Sequence, residues 1–366
     1  MSNHISKEEP SLWSEVSALS LKGLERGGDA LRMQLVSRAQ SVAKRAFDEG
    51  DEASLLDVHR TLYKIYLGEL ATPWSADVPH VRHPSFACVR HELERRWEQA
   101  EAERHREAIA ELKGPSDFRE WVVKIVQGHP SNVQHPLFTM LRDTATFEQM
   151  REFVLQETPL ELLFGDVIAL MLPGVYGKLK LELAENFWDE VGRAREERVH
   201  RNLRIRLMDH LEIPADVHMD RVDLLVREEL ALINMYLSLA TSRPRFVQLL
   251  GVLLATETMI PGRFEFQIEG WRRRFGLSDE VLDYLLEHTT VDVEHARRWL
   301  DHVIVPMITA TPSLMPDIAL GVLRRLDAAG AVCDRLHRHL SCTTAASVGR
   351  YKGSRLAATA VASGIA

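Results

Sequence analysis

The periodicity of the chain constrains its fold more than any other feature. Apolar residues recur at three- and four-residue spacing over long stretches, and alternating strand-like runs are scarce. The pattern predicts an all-α protein. Two or three helices are expected in 11–68 and a highly charged one over 87–113, whose Glu and Arg spacing suits a solvated face. Further helices are expected over 117–127, 137–144, 146–157, 159–172, 176–211, 219–240, 243–258, 264–275, 278–287, 290–309 and 315–340. Breakers separate them, among them Gly27-Gly28, Gly114-Pro115, Gly128-His129-Pro130, Pro173-Gly174, Pro261-Gly262 and Pro312. The stretch 71–86 reads as a proline-rich loop. The 366 residues suffice for one large or two ordinary domains. The expected organisation is auxiliary helices over 1–115, a core domain over 116–343 and a weakly ordered small-residue tail over 344–366.

Charge narrows the class. Lys and Arg number 45 against 53 Asp and Glu, a net charge of −8. That opposes a nucleic-acid wrap or an anionic membrane surface, since both select basic faces. Cys88, Cys333 and Cys342 are scattered, so neither a disulfide framework nor a thiolate zinc site is expected. No run of eighteen apolar residues occurs, and no glycine-rich nucleotide loop, so a reducing cytoplasm is the expected compartment. The chain carries 16 histidines beside its many carboxylates, the side chains that hold hard and borderline metals.

Four segments concentrate such groups. In 286–295, His288, Asp292 and His295 stand at i, i+4 and i+7, one face of a helix over two turns. Glu190 and Glu197 share a face in 182–200, and Glu197 lies three before His200, a Glu-x2-His pair of the kind that gives one metal two ligands. Glu257 is the sole charge between Phe246 and Pro261; a carboxylate so placed must be paired, protonated or metal-bound. Glu157, with Glu161 one turn on, again sets a carboxylate in an apolar helix. Solvated polar faces, and an arginine partner for Glu257, are the bland alternatives. Together the four segments have the ligand logic of a dinuclear carboxylate site, with acidic groups bridging two ions and histidines completing each.

These stretches resemble the heme-oxygenase-like diiron oxidase superfamily, the iron-containing redox enzymes. The likeness runs through His135-Pro136-Leu137-Phe138, FVLQE at 153–157, AENFWDEVG at 184–192 with His200 ten residues after Glu190, then Glu257, and the final His288/Asp292/His295 trio before Trp299-Leu300. The resemblance implies a heme-oxygenase-like helical bundle, here with extra N-terminal helices, that binds two Fe ions and uses O2 as co-substrate. It implies Glu157, Glu190, His200, Glu257, His288, Asp292 and His295 as metal ligands, with Glu190 also catalytic. Glu161, one turn on in the helix register, competes with Glu157; Glu197 competes with Glu190, because the usual glycine-rich step after Asp-Glu reads Gly192-Arg193-Ala194 here. The implied activity is a biosynthetic oxidase acting on a small amino acid or amine, with N-oxygenation slightly favoured over C–C cleavage with decarboxylation or desaturation. An external electron donor and a homodimer are expected; nucleic-acid and membrane partners are not. A metal-free helical scaffold, a heme-binding protein using His129 or His135, and a mononuclear zinc hydrolase are the rivals. Arg272, Arg273 and Arg274 offer a carboxylate clamp or simply a basic helix end. Phe187 and Trp188 offer pocket walls or core packing.

Overall fold

The computed structural model describes residues 10–73, 82–215, 219 and 221–342, so the expected tail and part of the 71–86 loop lie outside the described residues. Among the described residues the chain is helical throughout, with no strand. The helices are α1 (Leu12–Ala18), α2 (Leu21–Asp48), α3 (Glu52–Glu69), α4 (Pro84–Ala110), α5 (Pro115–Gly128), α6 (Pro136–Asp143) and α7 (Phe147–Met171). They continue as α8 (Gly177–Glu190), α9 (His200–His210), α10 (Arg227–Ala240), α11 (Phe246–Phe275), α12 (Asp283–Arg298), α13 (Val305–Ala310) and α14 (Met315–Ser341). A π-helical stretch, Trp299–Ile304, joins α12 to α13.

Local chemistry sets the starts. Ser11, Ser20, Asp51 and Thr146 each accept a backbone N–H three residues on, and Thr146 forms a reciprocal capping box with Gln149. Pro84, Pro115 and Pro136 sit in first turns, where a missing N–H is harmless.

Helix α11 is the axis of the bundle and packs along α14, α12 and α6. Two glycines permit the closest crossing. A Cβ on Gly251 would overlap the Ile318 carbonyl oxygen, and one on Gly321 would overlap that of Gln248. Helix α7 lies against α8, α9 and α10, completing the walls of the site. The N-terminal helices pack on one another, then onto the bundle through α3 on α10 and α4 on α14. Their apolar residues join those of the bundle in one continuous core. A polar staple reinforces the seam: buried Glu94 of α4 accepts from Tyr66 Oη (2.5 Å), Arg90 Nε (2.7 Å) and Arg245 Nη2 (2.5 Å).

Several expected boundaries differ; the helix expected over 219–240, for one, begins at Arg227. Helix α7 runs through Pro159 and α11 through Pro261, where breaks were expected. Helix α12 is continuous across 288–290, and the single helix expected over 176–211 is instead two, parted by short 3-10 turns at 192–198. A proline inside a helix removes one hydrogen bond and bends it without ending it where tertiary packing holds both halves.

Candidate metal centre

Four helices deliver the candidate ligands to one buried region. Helix α8 ends at Glu190, and the chain turns through Gly192, Arg193 and Ala194, all with positive φ (66°, 53° and 60°), before His200 opens α9. That reversal, not a common helix face, brings Glu190 and His200 together. Gly165 of α7 leaves room for the Glu190 side chain, which lies within van der Waals distance of where a Cβ would sit. Helix α11 supplies Glu257, and α12 supplies His288, Asp292 and His295.

The side chains fall into two groups. Glu190, His200 and His288 each offer a ligand atom, all within 4.8 Å of one another, and so do Glu257, Asp292 and His295. His200 and His288 stack with ring centroids 4.5 Å apart. His200 Nδ1 lies 3.2 Å from Glu190 Oε1, yet this buried nitrogen has no aligned hydrogen-bond partner. Two ligand atoms turned toward one point without bonding each other suit a cation between them. The donor set, carboxylates mixed with imidazoles, fits iron.

Neighbours orient the imidazoles. His288 Nδ1 donates to the Tyr284 carbonyl at 2.7 Å, which leaves Nε2 for the centre. His295 Nε2 donates to Asp189 Oδ2 at 3.0 Å, leaving Nδ1 toward Glu257 Oε2 at 3.7 Å. Asp189 is held in turn by Arg193 Nε at 2.6 Å. Asn186 Nδ2 stands 3.2 Å from His295 Nδ1 and 3.5 Å from Glu257 Oε1.

Electrostatics match the geometry. Burial pushes the Asp292 carboxyl far up, and Glu257, Glu190 and Glu161 add repulsion. Burial would depress His295, but Asp189 and Glu257 overcome it and carry the imidazole to about 10. His288 is driven well below its usual range, first by burial and then by His200. The carboxylates that push Asp292 up by mutual repulsion are groups whose crowding a divalent cation would relieve.

The other expected residues lie elsewhere. Glu157 is outside both groups: it accepts from Arg204 Nη1 at 2.9 Å and Gln267 Nε2 at 3.2 Å, and burial pushes it up to about 7. Glu161 bonds the Tyr284 hydroxyl and adds to the charge felt by Asp292. Glu197 is exposed on a 3-10 turn. Arg272 pairs with Asp279, and Arg273 with Asp143, at the C-terminal end of α11, so they form a basic helix end. Trp188 is 49% exposed, and neither it nor Phe187 lines the cavity beside the centre. His129 and His135 pair with Asp327 and Asp334, away from that cavity. Sequence reasoning missed Asp189, Asn186, Tyr284 and Arg204. Asp189 is adjacent to Glu190, and Arg204 lies one turn after His200, signals visible only once both helices are placed.

A helical bundle that buries two carboxylate–imidazole groups on four helices defines a class of metal-dependent redox proteins. Residues 151–330, just under half of the chain, match the family model described as iron-containing redox enzyme, and over that span the chain is similar to this family. Among solved structures, a CADD-like protein of unknown function from Nostoc punctiforme is 17% identical, with 62% of this chain and 98% of that chain covered and a TM-score of 0.50. A domain of unknown function with a heme oxygenase-like fold from Shewanella denitrificans is 14% identical, covering 62% and 93%, with a TM-score of 0.47. No curated protein matches the chain. The fold is an all-α helical bundle, similar to that of the Nostoc punctiforme protein. No single helix among the described residues is long and apolar enough to cross a membrane.

Proposed function

We propose that the protein is a non-heme diiron oxidase that uses O2 to oxidise a small amino-acid or amine-derived substrate. The pairing of two buried three-residue groups, Glu190/His200/His288 and Glu257/Asp292/His295, carries this reading. Glu161 is the first-helix carboxylate of this reading, because its charge reaches Asp292 whereas Glu157 is ion-paired to Arg204. Glu190, His200, His288, Glu257, Asp292 and His295 would hold ferrous ions, which would supply the redox chemistry with O2. The Tyr284 carbonyl and Asp189 fix the two imidazole planes, so each nitrogen is aimed before a metal arrives. Phe153, Phe164 and Phe264 wall the adjoining cavity and exclude water from it. An external donor returns the electrons. N-oxygenation is the favoured outcome, resting on Glu190 standing ten residues before His200; C–C cleavage with decarboxylation and desaturation use the same site.

The test is O2 uptake by Fe(II)-loaded protein over a panel of amino acids and their amines, with products read by mass. Uptake that depends on one substrate and disappears in Asp292→Ala is expected. A gain of one oxygen marks N-oxygenation, loss of CO2 marks cleavage, and loss of two hydrogens marks desaturation. No substrate-dependent uptake across the panel would overturn the proposal.

A further inference from the structure

A second cluster of ligand-type side chains lies away from the candidate centre, where α4 packs on α14. Glu101 and His105 stand one turn apart on α4, and Asp327 reaches toward them from α14. His129, at the end of α5, approaches Asp327 from the other side. None of the four lines the cavity beside the candidate centre. His105 is 6% exposed, and its Nε2 is buried without a hydrogen-bond partner. That nitrogen nevertheless lies 3.6 Å from Glu101 Oε2 and 3.6 Å from Asp327 Oδ2. Asp327 Oδ1 lies 3.8 Å from His129 Nε2. Arg104 Nη1 donates to Glu101 Oε1 at 3.1 Å, which leaves Oε2 to face His105. His129 Nδ1 meets Ser131 Oγ at 2.7 Å, so Nε2 is the nitrogen turned to Asp327. Gly330 of α14 makes room for that ring, whose Cε1 lies 3.5 Å from where a Cβ would sit.

The spacing discriminates between two explanations. An imidazolium held by two carboxylates would draw one of them in to about 2.7–2.9 Å, the length of a charge-assisted hydrogen bond. His105 Nε2 instead stands off from both by the same 3.6 Å. A tetrahedral zinc ion, with bonds of about 2.0–2.2 Å, sets its ligand atoms roughly 3.3–3.5 Å apart. The separations here are slightly wider, and the Asp327 side chain, 43% exposed, is free to turn and close the set. We infer that Glu101, His105, Asp327 and His129 form a structural site for a zinc-type divalent cation, distinct from the candidate iron centre. Two imidazole nitrogens and carboxylate oxygens without a thiolate suit such a borderline ion. Bound there, it would clamp α4 to α14 and so fasten the N-terminal helices to the bundle. The site owes nothing to the oxidase reading and stands or falls without it.

The test uses the full-length chain carrying His288→Ala and His295→Ala, stripped of metal, so that the candidate centre does not compete. Titration with Co2+ should load one ion per chain, with the strong visible band of four-coordinate cobalt and a rise in Tm. One equivalent of Zn2+ should displace it. Adding His105→Gln should abolish both the band and the rise. Asp327→Asn, on a half-exposed side chain, should do the same, and it decides should His105→Gln not fold. In the chain with an intact centre, His105→Gln should lower the Zn2+ bound by one ion and leave Fe(II) binding at the centre unchanged. No cobalt bound, a six-coordinate spectrum, or binding that survives both His105→Gln and Asp327→Asn would overturn the site. An imidazolium bridge at His105 predicts the first of these.

Discussion

Asp189 belongs to neither metal group, yet it orients a histidine of the second. Its carboxylate accepts from His295 Nε2 and so fixes which nitrogen faces Glu257 and Asp292. Asp189→Asn should leave the helices intact and reduce iron affinity roughly 10–100-fold, as loss of such orienting carboxylates does; anaerobic titration measures it. Ala194 sits at φ 60°, a conformation that costs an alanine about 1–2 kcal/mol and a glycine little. Ala194→Gly should raise stability by up to about 1 kcal/mol in urea unfolding, since part of the relief is lost to the freer unfolded chain. At this scale the sequence is uneven. His288, Asp292 and His295 share a helix face, so spacing alone places them together. Glu190 and His200 meet through a chain reversal, which no helical period encodes. Arg325 hides beside Arg324 in what reads as a basic patch, although both are buried.

Elements position these residues through their crossings. Gly251 and Gly321 let α11 and α14 approach until each faces the other's backbone carbonyl. A methyl group there meets a backbone atom, not a side chain that can swing aside. Gly321→Ala should therefore lower stability by about 1–3 kcal/mol, the usual range for overpacking, with Tm as the readout. Met33→Ala, on the exposed face of α2, should change it by less than about 0.5 kcal/mol. The prolines mislead sequence reading here. Pro159 and Pro261 lie within one turn of Glu161 and Glu257 and read as helix ends, yet both helices continue. Pro261 leaves the Glu257 carbonyl without its helical donor and bends α11 beside the centre. Dense packing on α14, α12 and α6 holds the two halves in line, and that packing is a tertiary fact absent from any local window.

At the scale of the whole molecule, the N-terminal helices and the bundle share one apolar core, so they should unfold together. His59 of α3 reports on that seam: it packs edge-on against Trp97 and approaches Asn234 of α10. Burial pushes its imidazole down to about 3. Below about pH 6.5 the unfolded chain takes up a proton that the folded chain refuses, so stability falls as the pH drops, by up to about 1.4 kcal/mol per pH unit. The contribution is fully present above that pH. His59→Gln should flatten the slope between pH 6.5 and 4 in urea unfolding. The helical class and the core bundle were legible from periodicity, because both follow from repeated apolar spacing. The docking of α3 on α10 and α4 on α14 was not, since a charged helix such as α4 reads as solvated although Glu94, Trp97 and Glu101 face inward.

In the proposed function, two groups of side chains from four helices form one dinuclear iron site. Equilibrium Fe(II) binding to metal-free protein under anaerobic conditions tests it most directly, with thermal stability followed in parallel. Two irons per chain are expected, with a Tm that rises with iron concentration through binding linkage, and both should be lost in His288→Ala and His295→Ala. One iron or none in the wild-type chain, or an iron response that survives both substitutions, would contradict it.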